Sequence, residues 1–155
     1  DPDNAIYLIN LGYVLSEQQK NEEAINYLRY AVNISQDFVE GWINLSSAYI
    51  DSGNIDDGLF CCNKGIGLDP SNPVLWTNRG YAYYLKKKLN KAISDYKESI
   101  RLRPDNIDTM YHLASTYYGM RKYDKADKVY DDILALEPTH LNALYWKSVI
   151  ADLKK

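Results

Sequence analysis

The stretch LDPSNPVLWTNRGYAYY, residues 68–84, decides the fold. Pro70 and Pro73 cannot sit inside a helix, since each lacks an N–H and clashes with the preceding turn. Ser71 and Asn72 are good N-cap residues, so a helix begins about there. Trp76, Gly80 and Tyr83 then fall at i, i+4 and i+7, on one face of that helix. A small residue between two aromatics on one face predicts a notch where a second helix comes close.

Steps of 34 residues from each of these positions return the same chemistry. Trp76 leads to Leu8, Trp42, Met110 and Leu144, and Gly80 leads to the small residues Gly12, Ser46, Ala114 and Ser148. Tyr83 leads to Leu15, Tyr49, Tyr117 and Ala151, and Pro70 leads to Pro2, Gln36, Pro104 and Pro138. Ala24, Gly58, Ala92 and Ala126 share another phase, as do Ile34, Leu68, Leu102 and Leu136. Several independent columns keep one period without an insertion, so the chain is a repeat array.

Two helical stretches per 34-residue unit resemble the tetratricopeptide repeat, whose pattern is carried by Trp76, Gly80, Tyr83, Ala92, Tyr96 and Pro104, and by Trp42, Leu45, Tyr49 and Pro70. The departures are Arg79 for Leu, Gln36 for Pro, and Ser99 and Ile133 for Ala; none breaks the phase. The resemblance implies an all-α, right-handed α-solenoid of helix-turn-helix repeats. The units run 5–38, 39–72, 73–106 and 107–140, followed by a C-terminal capping helix over 141–155. Residues 1–4 read as a lead-in or the end of a preceding repeat. Asp1-Pro2 stands in the phase of Asp69-Pro70, as at the start of a piece excised from a longer array.

The expected A helices lie near 4–17, 38–51, 72–86 and 106–119, and the B helices near 22–34, 56–68, 90–102 and 124–136. Asp56, Asn90 and Asp124 share a phase at the start of B and are expected as N-caps. The helix DDGLFCCNKGIGL is expected to be the softest, because Gly67 occupies no packing phase. Lys147 falls where Leu11, Leu45 and Leu113 pack, which predicts a partly solvated face on the last helix, suited to a cap.

Enzyme chemistry has little to stand on. His112 and His140 are the chain's two histidines, and neither has a nucleophile motif around it. Cys61 and Cys62 are adjacent on a helix, a poor disulfide geometry, and Cys62 shares a packing phase with Leu28, Tyr96 and Tyr130. No second pair at metal-ligand spacing and no glycine-rich phosphate loop is present. No catalytic residue, metal or cofactor is therefore expected. No apolar run is long enough for a membrane span, and with no basic-then-apolar leader the expected location is cytoplasmic.

The resemblance implies instead a protein-interaction module that takes up a peptide on the concave face lined by the A helices. Carried over by phase, that face includes Asn10, Tyr13, Glu40, Asn44, Asp51, Asn78, Tyr81, Tyr84, Asp108, Tyr111, His112 and Tyr118. Glu17 and Ser47 belong to the same face, and Tyr145 and Trp146 close it on the last helix. Asn10, Asn44 and Asn78 make one rung per unit, continued by His112, and resemble the asparagine ladder of the peptide O-GlcNAc transferases. Side-chain amides in a row can pair with an extended peptide backbone; the alternative is that they serve helix packing.

None of the inner positions is Lys or Arg, although the chain carries 18 of them. Such a groove favours a basic or neutral-apolar peptide and disfavours nucleic acid, in keeping with a net charge of −3. It also lacks the inward cations of the family's carboxylate clamp. The chain is expected as a monomer or a weak self-associator. Two alternatives stay open: a substrate-presenting arm of a larger enzyme such as a peptide glycosyltransferase, and a self-assembling scaffold.

Overall fold

A computed structural model describes residues 4–154, and nine α-helices are found among them. The A helices are α1 (Ala5–Glu17), α3 (Val39–Asp51), α5 (Pro73–Leu85), α7 (Ile107–Gly119) and the terminal α9 (Leu141–Leu153). The B helices are α2 (Asn21–Ile34), α4 (Ile55–Leu68), α6 (Leu89–Leu102) and α8 (Tyr123–Leu136). Each of the eight expected A and B helices of the four units forms within one residue of its expected bounds, and the terminal helix ends at Leu153, giving an all-α repeat solenoid. The reading of Asp1-Pro2 as a unit end lies outside the described residues.

The notches behave as the small-residue column requires. A Cβ added to Gly80 would sit 2.8 Å from the ring of Tyr96, and one on Gly12 would collide with Leu28 across the α1–α2 seam. Ala24, Ala92 and Ala126 are fully buried on the facing B helices. The tryptophan column is fixed by a hydrogen bond as well as by packing. Trp42 Nε1 donates to the Gln36 carbonyl and Trp76 Nε1 to the Pro70 carbonyl, both at 2.8 Å. The indole therefore pins the turn six residues upstream against its own helix.

Every A helix of the four units ends in the same left-handed turn. Gln19, Gly53, Lys87 and Arg121, one column, have φ of 61°, 83°, 58° and 57°. In each, the following N–H reaches back to the carbonyl five residues earlier (Lys20 to Leu15, Asn54 to Tyr49, Lys88 to Tyr83, Lys122 to Tyr117), which closes a Schellman motif. That motif corrects the N-cap expectation. The residues preceding α4, α6 and α8 are Asn54, Lys88 and Lys122, none with a side-chain cap bond. Asp56, Asn90 and Asp124 lie inside the first turn, where the two carboxylates meet the positive end of the helix dipole. The A helices are capped as expected where Asn72 accepts from the Val74 N–H at 3.1 Å, and likewise by Asn4 and Asn106.

The core is a series of seams. Each helix packs on the next, and the A helices also meet across units, α1 on α3, α3 on α5 and α5 on α7. The array therefore curves toward its A side. On the B side the seam between α2 and α4 gapes, leaving a cavity of about 550 Å³ beside Trp42 and Phe60.

Two charges at apolar phases are answered inside the array. Arg79 donates from Nε and Nη2 to the Asp95 carboxylate at 2.8 and 2.9 Å and from Nη1 to Asn63, with its guanidinium 4.6 Å from the Trp76 ring. Lys147, 28 % exposed on the partly solvated last helix, reaches back to Asp127 and Asp131 of α8 at 2.7 and 2.8 Å. With Lys154 on Asp124, it ties the terminal helix down by charge.

Candidate functional site

The expected inner residues of the A helices divide into two chemically distinct halves. On α1, Tyr13, Ser16 and Glu17 stand at i, i+3 and i+4; on α3, Asn44, Ser47 and Asp51 stand at i, i+3 and i+7. Together they line a cavity of about 170 Å³ between the two helices. Tyr13 is 52 % exposed, so its ring forms the rim. The Ser16 hydroxyl oxygen is sealed from solvent and has no hydrogen-bond partner. Burial pushes the Asp51 carboxyl above its ordinary value.

The other half is aromatic. Tyr81 stacks on Tyr84 with centroids 6.4 Å apart and meets His112 at 5.5 Å, and His112 stacks in turn on the fully buried Tyr96 at 5.7 Å. Desolvation holds His112 below the ordinary imidazole value, partly opposed by Asp108 one turn earlier. Tyr118 lies 4.8 Å from Trp146, whose Nε1 donates to the Tyr111 hydroxyl at 3.0 Å. Tyr145 packs edge-on against Trp146 but remains 60 % exposed. The terminal helix thus supplies one wall of this half.

The expected site residues are not all brought together. Tyr13, Asn44 and Asp51 meet in the first cavity, and Tyr81, Tyr84 and His112 form one aromatic group while Tyr111 and Tyr118 meet Trp146 in another. Glu40 sits at the far end of α3, beside Asp37 and Asp69 in a separate depression at the turns. Asp108 is exposed on the first turn of α7, and Asn10 is exposed on α1. The asparagine column has one phase and several environments. Asn78 donates to Ser46 and Ser47 at 3.0 and 3.1 Å, which engages its amide in the α3–α5 seam, whereas Asn44 lines the cavity.

Two features escaped the sequence reading. Ser16 shares the phase of Ile50, Tyr84 and Tyr118 and was findable from that column. Lys87 places its ammonium 5.7 Å from the Tyr84 ring, so one cation does border the aromatic half; it belongs to the turn and not to a helical phase. No group of three or more His, Cys, Asp or Glu side chains suited to a metal ion occurs among the described residues. Nor, among them, is any helix long and apolar enough to cross a membrane.

Profiles of the tetratricopeptide repeat match residues 5–38, 39–72 and 108–140, and a further TPR repeat profile matches 80–120. RNA polymerase II-associated protein 3 of Gallus gallus is 47% identical over 47 residues, which are 30% of this chain and 7% of that protein. Small glutamine-rich tetratricopeptide repeat-containing protein 2 of Mycosarcoma maydis is 28% identical over 75 residues, 48% of this chain and 21% of that one. The matched stretches thus span a small part of these relatives. Among solved structures, MamA superposes with a TM-score of 0.85 at 21% identity, covering 97% of this chain and 82% of its own. The first TPR of Spaghetti (RPAP3), bound to the HSP90 peptide SRMEEVD, superposes with a TM-score of 0.69 at 29% identity, covering 74% and 94%. With its columns, its seams and these profiles in agreement, the chain belongs to the tetratricopeptide repeat family.

Proposed function

We propose that this protein is a non-catalytic interaction module that takes up an extended peptide along its A-helix face. The observation that carries this reading is the aromatic half of that face. Tyr81, Tyr84, Tyr111, Tyr118 and Trp146 touch one another in two groups yet stay only partly buried, so the rings are ordered but not consumed by the core. Preordered rings of this kind offer apolar area at small entropic cost. The groups that a reaction would need are occupied elsewhere. Cys61 and Cys62 are buried, their thiols pushed up to about 12 and about 11, and His112 is held between two tyrosine rings.

The Spaghetti TPR is seen with the acidic peptide SRMEEVD. A preference for the opposite charge is proposed here, because Glu17 and Asp51 face the groove while Lys87 is the cation placed against a groove ring. The test is capture of a random nonapeptide library on the immobilised chain and on a Tyr81→Ala/Tyr118→Ala variant. Enrichment of basic and aromatic peptides, lost in the variant, is expected. Equal capture by both proteins, or selective capture of acidic peptides, overturns the reading. A cytoplasmic location and a monomeric state belong to the same proposal, checked by imaging the full-length protein and by sedimentation across a concentration range.

A further inference from the structure

Across a seam, residues of one column are neighbours, and the column Glu17, Asp51, Leu85, Gly119 is acidic in its first two members and neutral after them. The two carboxylates therefore line one cavity between α1 and α3, and later seams hold no such pair. Elsewhere the acidic side chains next to cations are used. Asp56, Asp95, Glu98, Asp124, Asp127 and Asp131 each have a Lys or Arg partner. Among the described residues neither Glu17 nor Asp51 has one.

The remaining lining is also acceptor-rich. Asn44 offers a carbonyl oxygen to the cavity. Tyr13 stands at the rim with a ring face available to a cation. About 170 Å³ is several times the roughly 30 Å³ share of a water molecule. That is room for a planar head group and too much for a bare ion held by two carboxylates. A guanidinium presents five N–H donors in a fixed fork and no acceptor, which complements this lining.

We infer that the cavity between α1 and α3 is a subsite for an arginine or lysine side chain of the bound peptide, its head group held between Glu17 and Asp51 and its stem lying along Tyr13. The inference rests on the groove reading for its source of ligand but not for its chemistry. Partial desolvation raises the Asp51 carboxyl, and a cation held beside it would offset that penalty.

The experiment titrates N-acetyl-arginine methylamide, and its neutral citrulline counterpart, into isotope-labelled chain followed by amide NMR. Saturable shifts are expected at the Asn44 side-chain amide and at Ser16, Ser47 and Asp51 with the arginine probe and not with citrulline. Glu17→Gln and Asp51→Asn should each weaken arginine binding by about tenfold, the effect of losing one charge-assisted hydrogen bond. Asp56→Asn, an exposed carboxylate already paired with Lys86, should leave it unchanged. Equal shifts from both probes, shifts spread over unrelated carboxylates, or indifference to Glu17→Gln and Asp51→Asn overturns the subsite. Library capture then separates the two ideas. Capture without basic enrichment overturns the subsite and leaves the groove standing; no capture overturns the groove, while the arginine titration still decides the cavity.

Discussion

Replacing Arg79 with Leu, the residue found at this phase in the neighbouring units, should destabilise the protein. Asp95 is the reason. Its side chain is 8 % exposed and receives two guanidinium hydrogen bonds, at 2.8 and 2.9 Å. Without Arg79 a nearly buried carboxylate is left with no partner, a situation that costs about 3–5 kcal/mol. Arg79 itself is 18 % exposed, so the lower part of that range, about 3 kcal/mol, is expected. Asp95→Val is milder, at about 1–2 kcal/mol, because the guanidinium keeps Asn63 and the Trp76 ring and can slide its head toward water.

The double variant Arg79→Leu/Asp95→Val recreates what the flanking units already contain. The same two columns hold Leu45 with Cys61 and Leu113 with Val129. It should therefore lie within about 1 kcal/mol of wild type, giving a coupling energy of about 3–5 kcal/mol. The assay is urea unfolding of all four proteins at pH 7, with amide exchange to locate the loss around α5 and α6, since each unit leans mainly on its neighbours. Additive single variants, or an Arg79→Leu protein as stable as wild type, would refute the argument that Asp95 is held by this one partner.

The other predictions concern local packing and titration. Gly67→Ala should stabilise by about 0.5–1 kcal/mol, because the added Cβ meets nothing within 4 Å, while Gly65→Ala should destabilise by about 1–2 kcal/mol against the fully buried Leu75, 2.6 Å away; equal signs in thermal melts would contradict this. Asn78→Ala should lower stability by about 1–2 kcal/mol through loss of its amide bonds to Ser46 and Ser47, although Ser46 keeps its bond to the Ile43 carbonyl, whereas Asn44→Ala should hardly alter melting and should weaken peptide capture. His112 has a folded value below its ordinary 6.5, so the unfolded chain takes up the proton first. Its contribution is complete above pH 6.5 and is lost as pH falls through and below that value; a His112→Leu variant should show a flatter stability profile between pH 7 and 5, and an unchanged slope counts against it. Cys61 and Cys62 should resist a thiol reagent at pH 8 until α4 opens, and prompt labelling of the native chain would disprove their burial.

The fold was legible because a 34-residue period constrains many columns at once, and small residues at Gly12 and Gly80 meet Leu28 and Tyr96 as the notch required. Single columns read in isolation failed. Arg79 looked like a lapse from Leu until the Asp95 column, sixteen residues on, is read with it. The B-helix caps were misplaced because a left-handed turn residue leaves no local signature when it is Gln, Lys or Arg; Gly53 alone advertised it. The proposed groove is read from the sequence as a list of inward phases and not as a site, since phase gives a helix face and nothing about what the next unit does to a side chain on it.

That last distinction explains why one asparagine column yields different chemistry at each rung. In this array an inward-facing group is finished by the following unit. Asn78 satisfies Ser46 and Ser47, Thr77 bridges to Ser99 and Thr109 at 2.8 Å, and Trp146 meets Tyr111. A side chain remains available to a ligand where its own column and the facing one supply no complement. Asn44 faces α1, where Tyr13 and Glu17 contribute a ring and a second carboxylate but no cationic donor. His112 faces Tyr81 and Tyr96 and is packed away. Binding chemistry in a solenoid is then a property of seams and not of columns. The seam between α1 and α3 is lined by two carboxylates and by no cation, which is why the proposed subsite for a cationic side chain falls there.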